Sequence, residues 1–299
     1  MTITLFGATG FIGKELVKFL IENNYSVNVV TRNSKKASKL FSPSVKIYDF
    51  EFGILLELIN NTDTIINLAG ENISSGLWTE KQKRRILSSR INIGVLITQL
   101  CSKATKKPKL LIQASAIGYY GFNTEMLLNE ESPKGKGFLA NVCEQWENST
   151  QHIVDLNITR VVIRMGVVLG KNGGILPKLT LPFRFYLGVG FGSGLNYFSW
   201  IHILDEIRAI DFIINSEKPS DIYNLTSPNP IEMRYLNKSI SERINRPFLF
   251  SLPDKFIKLI FGDMAKEMLL ANQRVLPNNL IIEGFMFNHE TIDTALADI

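Results

Sequence analysis

The 299-residue sequence contains only two cysteines, Cys101 and Cys143. Neither belongs to a CxxC pair or lies near a cluster of ligand-forming residues. That excludes a structural zinc site and points to a reducing compartment. No HxxE or HExxH pattern offers a metal site. No apolar run approaches the roughly 20 residues that cross a bilayer. The chain also lacks a basic segment, apolar stretch and cleavage site at its start, opening instead on a strand pattern, TITLF. A cytoplasmic protein with no membrane partner is expected. Internal repeats and low-complexity linkers are absent too.

What is present is ordinary in bulk: 45% hydrophobic and 20% charged residues, as in globular proteins generally. The length suits one large domain with an appendage, or two domains. Net charge is +5, and the excess is local: Lys35, Lys36 and Lys39, then Lys81, Lys83, Arg84, Arg85 and Arg90, then Lys103, Lys106, Lys107 and Lys109. Such runs are usually solvated faces, so no nucleic-acid partner is expected. A phosphate-rich small ligand needs only one or two of these groups.

Over the first 170 residues the pattern alternates. Strands are expected at 2–6, 26–31, 45–48, 63–68, 109–115 and 158–164, and helices at 11–22, 53–60, 79–103 and 138–154. The strands are rich in Val and Ile and apolar on both faces, as in a parallel sheet covered by helices on both sides. This implies an α/β fold, a Rossmann-type doubly wound parallel sheet with its crevice at the carboxyl ends of the strands. After Gly170 the pattern loosens, and Gly188, Gly190, Gly192 and Gly194 punctuate a segment that suits substrate-side loops. Residues 1–246 are therefore read as the dinucleotide-binding domain, with interleaved substrate-side segments at about 171–200 and 226–246. Residues 247–299 are read as a small, mainly helical C-terminal lobe over the cleft, with helices near 255–261, 266–270 and 291–297.

TITLFGATGFIGKEL places Gly7, Gly10 and Gly13 between the first strand and the first helix. Gly7 permits the tight turn, Gly10 lets backbone amides approach a pyrophosphate, and Gly13 lets the helix pack close to the strand. Thr9, Phe11 and Ile12 lie among them and complete the expected phosphate-binding loop. The GxxGxxG spacing resembles the loop of the extended short-chain dehydrogenase/reductase superfamily. The second strand ends VVTRN, so Thr31 and Arg32 stand where an acid would accept hydrogen bonds from a free ribose 2′-hydroxyl. Arg32 would instead pair with a 2′-phosphate. NADP is expected rather than NAD.

The resemblance extends along the chain. Asn67-Leu68-Ala69-Gly70 closes the fourth strand where backbone passes beside the cofactor in similar proteins, with Arg90 and Asn92 on the helix that follows. QASAIGYYG, from Gln113 to Gly121, resembles the superfamily segment that bears a catalytic serine, with Ser115 in that place. RMGVVLG from Arg164, SWIHILDEI from Ser199 and DIYNLTSP from Asp221 match later landmarks. INLAGENI, GLWTEKQKRRILSSRI, GGILPKLTLPFRFYLGVGFGSG and ANQRVLPNNLIIEGFMF together resemble the atypical "epimerase family" proteins of this superfamily. These carry a small C-terminal domain with a QRVLP-like segment. The resemblance implies cofactor contacts at Leu68, Ala69, Gly70, Arg90, Ser115 and Val142.

One superfamily feature is missing. A Tyr and a Lys four residues later usually occupy the helix that here begins GFLANVCEQWE. The lysine lowers the tyrosine pKa and the phenol exchanges a proton with the substrate. The best register gives Phe138 and Val142, and a shift by one gives Leu139 and Cys143. Neither supplies a phenol or an ammonium. Ser115 and Tyr119 are the candidate substitutes, with Glu144 or Glu147 nearby, although Tyr119 and Tyr120 also suit aromatic packing at a loop corner. His202 is expected to make a structural hydrogen bond near Asp205. Two readings follow: an NADP-dependent oxidoreductase or epimerase acting on a small substrate, nucleotide-linked or free, or an NADP-binding regulator without turnover, in a role such as cell division.

Overall fold

The computed structural model describes residues 1–297. Its main strands are β1 (Thr2–Phe6), β2 (Ser26–Val30), β3 (Lys46–Tyr48), β4 (Thr64–Asn67), β5 (Leu110–Ala116), β6 (Asn123–Leu128), β7 (Thr159–Met165), β8 (Val167–Gly170), β9 (Gly188–Phe191), β10 (Trp200–His202), β11 (Ile222–Leu225), β12 (Phe248–Leu252) and β13 (Asn272–Val275). Seven of them form one sheet in the order β11-β7-β5-β4-β1-β2-β3, every neighbouring pair parallel. The chain winds outward from β1 in one direction through β2 and β3, and in the other through β4, β5, β7 and β11. The crevice at the carboxyl ends of β1 and β4 is thus a topological switch point, where such sheets bind ligands.

The main helices are α1 (Phe11–Glu22), α2 (Phe52–Asn60), α3 (Glu80–Lys103), α4 (Phe138–Asn148), α5 (Leu176–Arg184), α6 (Ile203–Asn215), α7 (Met233–Ile244), α8 (Asp254–Phe261), α9 (Asn278–Ile282) and α10 (Ile292–Ala297). Leu16 and Leu20 of α1 and Ile207 and Ile210 of α6 cover one sheet face. Leu55 and Ile59 of α2 and Ile97 and Leu100 of α3 cover the other. Each such side chain contributes roughly 1.5–3 kcal/mol by leaving water, and this two-sided burial explains why the strands show no alternation. A third cluster, with Phe183, Trp200, Leu236 and Leu296, joins α5, α7 and α10 beside the sheet.

The helix expected over 138–154 ends at Asn148 and gives way to a 3₁₀ turn, Gln151–Leu156. Ser149 Oγ donates to the Trp146 carbonyl at 2.6 Å and Thr150 Oγ1 to that of Glu147 at 3.4 Å. Such side chains compete with the helix ladder and stop it. In the C-terminal segment the expected helices correspond to α8, a π turn at Ala265–Leu269 and α10. The same segment also supplies two strands that the periodicity did not reveal: β12 pairs with β9 and β13 with β6, both in parallel. Phe285 enters the main core, with Phe287 packed against it. The end of the chain is therefore woven across the sheet domain.

Candidate functional site

Gly7 has φ +87°, and a Cβ there would lie 2.6 Å from the Leu68 carbonyl carbon and 2.7 Å from the Ala69 nitrogen. It is the contact point between the phosphate loop and the end of β4. A Cβ on Gly13 would meet Ala8 Cα at 2.6 Å, so this glycine sets the close approach of α1 to the loop. Gly10 has an ordinary φ of −73° and caps α1 without any side-chain hydrogen bond. The first amides of a helix have no internal acceptor, so those of Phe11, Ile12 and Gly13 are presented at the positive end of the helix dipole. Thr9 is half-buried and Gly10 exposed. An uncapped helix start over a small, open glycine is a geometry that can receive an anionic group.

The Phe11 ring is clamped by a glycine turn that sequence reasoning missed. A Cβ on Gly170 would lie 2.6 Å from its Cζ, one on Gly173 2.3 Å from its Cδ2, and one on Gly174 3.1 Å from its Cε1. Closely spaced glycines signal a close approach, but only the fold names its partner.

At the end of β2, Thr31 is buried and its amide donates to the Tyr48 carbonyl at 3.0 Å. Arg32 is exposed. Asn33 follows and accepts from the Lys36 amide at 2.9 Å, turning the chain so that Lys35 and Lys36 also stay in solvent. No carboxylate pairs with Arg32 among the described residues. Between β4 and β5, Asn67 donates to Gln113 Oε1 at 2.9 Å and accepts from the Ala69 amide at 3.2 Å. Arg90 is buried beside Gly70, donates to the Glu71 carbonyl at 3.0 Å, and lies 4.7 Å from the Trp146 ring. Burial lowers its pKa to about 10, with Cys143 and Glu71 acting in opposition.

The other end of the crevice holds a buried polar network. Arg164 of β7 makes a two-pronged ion pair with Glu147 of α4, both contacts at 3.0 Å, and donates to Tyr120 Oη at 3.0 Å. Burial opposes the Arg164 charge, but the Glu147 hydrogen bonds and charge hold its pKa above the usual range. Tyr120 donates to Asn224 Oδ1 at 2.8 Å, and burial pushes its phenol pKa up. Ser115 Oγ donates to Glu147 Oε1 at 2.6 Å and is fully buried. The Tyr119 ring lies 3.5 Å from the Arg164 guanidinium. Ser115 and Tyr119 thus meet through Arg164 and Glu147, while His202 caps α6, accepting from the Leu204 amide at 3.4 Å. Asp205 accepts from the His289 amide at 2.8 Å.

Along α4, Val142 is buried in a cluster with Trp78 and Ile86, and Phe138, Met264 and Met268 pack against it. Phe138 and Trp78 meet edge to face at 5.1 Å. The α4 side chains at this face are hydrocarbon, and the ammonium nearest Phe138 is that of Lys83 on α3, 5.6 Å from the ring centre. The C-terminal segment reaches the same place, and Glu267 accepts from the Phe138 and Leu139 amides, each at 2.8 Å.

The pattern of the NAD dependent epimerase/dehydratase family matches residues 3–226. The chain belongs to that family. A domain of unknown function (DUF1731) matches residues 252–299. The epimerase family protein YfhF of Bacillus subtilis (strain 168) is 35% identical over 300 residues, covering 100% of this chain and 98% of the relative. The crystal structure of human epimerase family protein SDR39U1 (isoform2) with NADPH is similar at TM-score 0.89 and 28% identity, over 100% of this chain and 99% of that one. A Bacillus cereus UDP-glucuronic acid 4-epimerase, in complex with UDP-glucuronic acid and NAD, shares the fold alone, at TM-score 0.80 and 14% identity over 100% and 97% of the two chains. The epimerase-family, nucleotide-binding Rossmann character follows. No helix among the described residues is long and apolar enough to cross a membrane.

Proposed function

We propose that the protein is an NADP-dependent oxidoreductase or epimerase acting on a small substrate through non-standard proton chemistry. Arg32 carries this reading: it is exposed, follows buried Thr31 directly, and stands where an acid would repel a 2′-phosphate. The NADPH in the structure of the similar human protein supports the same preference.

When bound, the cofactor supplies hydride chemistry; everything else falls to the chain. Thr9, Gly10, Phe11, Ile12 and Gly13 hold the pyrophosphate at the α1 terminus, and Arg32 pairs with the 2′-phosphate. Gly7 keeps Leu68, Ala69 and Gly70 against the loop, where they follow the adenine-side ribose, and Arg90 fixes Gly70 from behind. Val142 and Phe138 form a dry wall at the nicotinamide end. The Ser115 hydroxyl donates its hydrogen bond to Glu147, so its oxygen is left to accept a hydrogen bond and orient a ligand. Tyr119 is then the candidate proton donor. A cytoplasmic location accords with Cys101 and Cys143, both buried and free.

Fluorescence titration with NADPH and NADH tests the assignment. NADPH should bind at least about tenfold more tightly, a difference of about 1.4 kcal/mol, and Arg32→Ala should narrow the gap. Equal affinities, or an unchanged ratio in the variant, refute it. The hydrocarbon face of α4 favours one second reading, an NADP-binding regulator without turnover. A saturable NADPH site with no hydride transfer across carbonyl and nucleotide-sugar substrates would support it.

A further inference from the structure

Two runs of three large apolar residues lie side by side on the surface. Phe185, Tyr186 and Leu187 follow α5, and Phe248, Leu249 and Phe250 open β12. All six are exposed, from 38% for Phe248 to 69% for Phe185. The parallel pairing of β9 with β12 makes them neighbours, setting Gly188 opposite Phe248 and Val189 opposite Phe250. Tyr186 takes a left-handed backbone with φ 60°, uncommon for an aromatic residue, and Arg246 stacks on its ring at 4.4 Å. The helix that follows, α8, buries only Ile257, while Leu259 is 83% exposed.

Single exposed hydrophobes are normal, but contiguous ones mark an interaction surface. The charges beside this one are mostly of one sign. Arg184, Arg243, Lys255 and Lys258 are exposed around or just beyond it, and the nearby acids are partly engaged, Asp254 by Lys258 at 3.6 Å and Glu242 by Lys238 at 3.8 Å. In a two-fold dimer the same patch faces itself, bringing together two margins of mostly positive charge. An anionic lipid surface complements both features: aromatic and aliphatic side chains enter the headgroup–acyl boundary and the cations meet phosphates.

We propose that the face formed by Phe185–Leu187 and Phe248–Phe250, with its basic margin, docks the protein peripherally on an anionic lipid surface. The expectation of no membrane partner rested on the lack of a spanning segment, which does not bear on docking in the interface plane.

Co-sedimentation of the full chain with phosphatidylcholine vesicles, with and without phosphatidylglycerol, tests this. The protein should pellet with the anionic vesicles and stay in solution with the zwitterionic ones. Arg184→Glu should weaken binding at least about fivefold, the effect of one surface cation. Phe185→Ser combined with Leu249→Ser should abolish it. All three positions are exposed, so the melting temperature and NADPH affinity should stay unchanged, which separates loss of docking from loss of fold. Failure to pellet with either vesicle, or undiminished binding by the serine variant, overturns the proposal. So does concentration-dependent self-association that the serine variant removes, since the face would then be an interface between copies.

Discussion

The carboxylate of Glu267 lies 2.8 Å from the backbone amide of Phe138, although 129 residues separate them. Its second oxygen takes the Leu139 amide at the same distance. A negative group at a helix start satisfies orphan donors and meets the positive end of the dipole. Met264 and Met268 pack nearby, and Asp263 meets Lys83 at 3.0 Å. The C-terminal segment is thereby fastened to the helix that lacks the usual acid.

Glu267→Ala should cost about 0.5–2 kcal/mol, the range for losing a helix cap, read as a lower urea midpoint. Glu267→Gln, which keeps an acceptor, should lose less. Gly137 has φ +121°, and a Cβ there would approach the Glu267 carboxylate at 2.9 Å, so Gly137→Ala should also destabilise. A Glu267→Ala protein as stable as the parent would show that the cap contributes nothing.

Glu206 gives a pH dependence. It is fully buried on α6, neither oxygen has a hydrogen-bond partner among the described residues, and burial raises its pKa well above the usual value. Above pH about 4.5 the unfolded chain releases this proton while the folded chain keeps it. The group therefore favours folding less as pH rises toward its folded pKa, with a limiting slope of about 1.4 kcal/mol per pH unit. Glu206→Met should flatten that decline and raise stability more at pH 8 than at pH 5, as thermal melting would show. An equal shift at both pH values would mean that Glu206 is ionised in the fold.

Glu267 and Glu147 differ in how far the sequence betrays them. The glycine turn between β1 and α1 is legible because its strand, turn and helix are contiguous, and the place of Thr31-Arg32 because it ends a recognisable strand. Glu267 was not, since nothing local marks its partner. The short strands β12 and β13 failed for the same reason: their partners β9 and β6 are distant and no hairpin turn announces them. The Glu147–Arg164 pair did leave a signal. An arginine inside VVIRM, a strand apolar on both faces, cannot stay buried without a carboxylate, and Glu147 beside Trp146 was the nearest helical acid.

The clamp on Phe11 predicts an effect on cofactor affinity. Gly173→Ala would place a methyl 2.3 Å from Phe11 Cδ2, forcing the ring and the start of α1 to move. NADPH affinity should fall about tenfold, or about 1.4 kcal/mol, in fluorescence titration. Gly53→Ala is the control: it lies in α2, where the new Cβ would meet open space beyond its own helix backbone, and should stabilise by about 0.5–1 kcal/mol. Unchanged affinity in Gly173→Ala would show that the loop does not depend on the Phe11 clamp.

The proton donor is the sharpest question at the site, and Ser115 and Tyr119 should answer it differently. The Ser115 hydroxyl is committed to Glu147 at 2.6 Å, in a carboxylate already bound twice by Arg164. Its proton is not available to a substrate, so Ser115→Ala should mainly raise KM by removing an orienting acceptor. Tyr119 is half-buried with its ring face on Arg164, and its phenol is the group left to exchange a proton. With any carbonyl substrate that turns over, Tyr119→Phe should lower kcat by about 10² to 10⁴, the usual contribution of a positioned acid, while NADPH affinity stays as in the parent. A change in kcat alone separates proton transfer from packing, because a packing defect would also disturb binding. Brisk turnover in Tyr119→Phe would remove it as the donor, and the reverse pattern, with kcat lost in Ser115→Ala and kept in Tyr119→Phe, would place the proton on the Ser115–Glu147 pair.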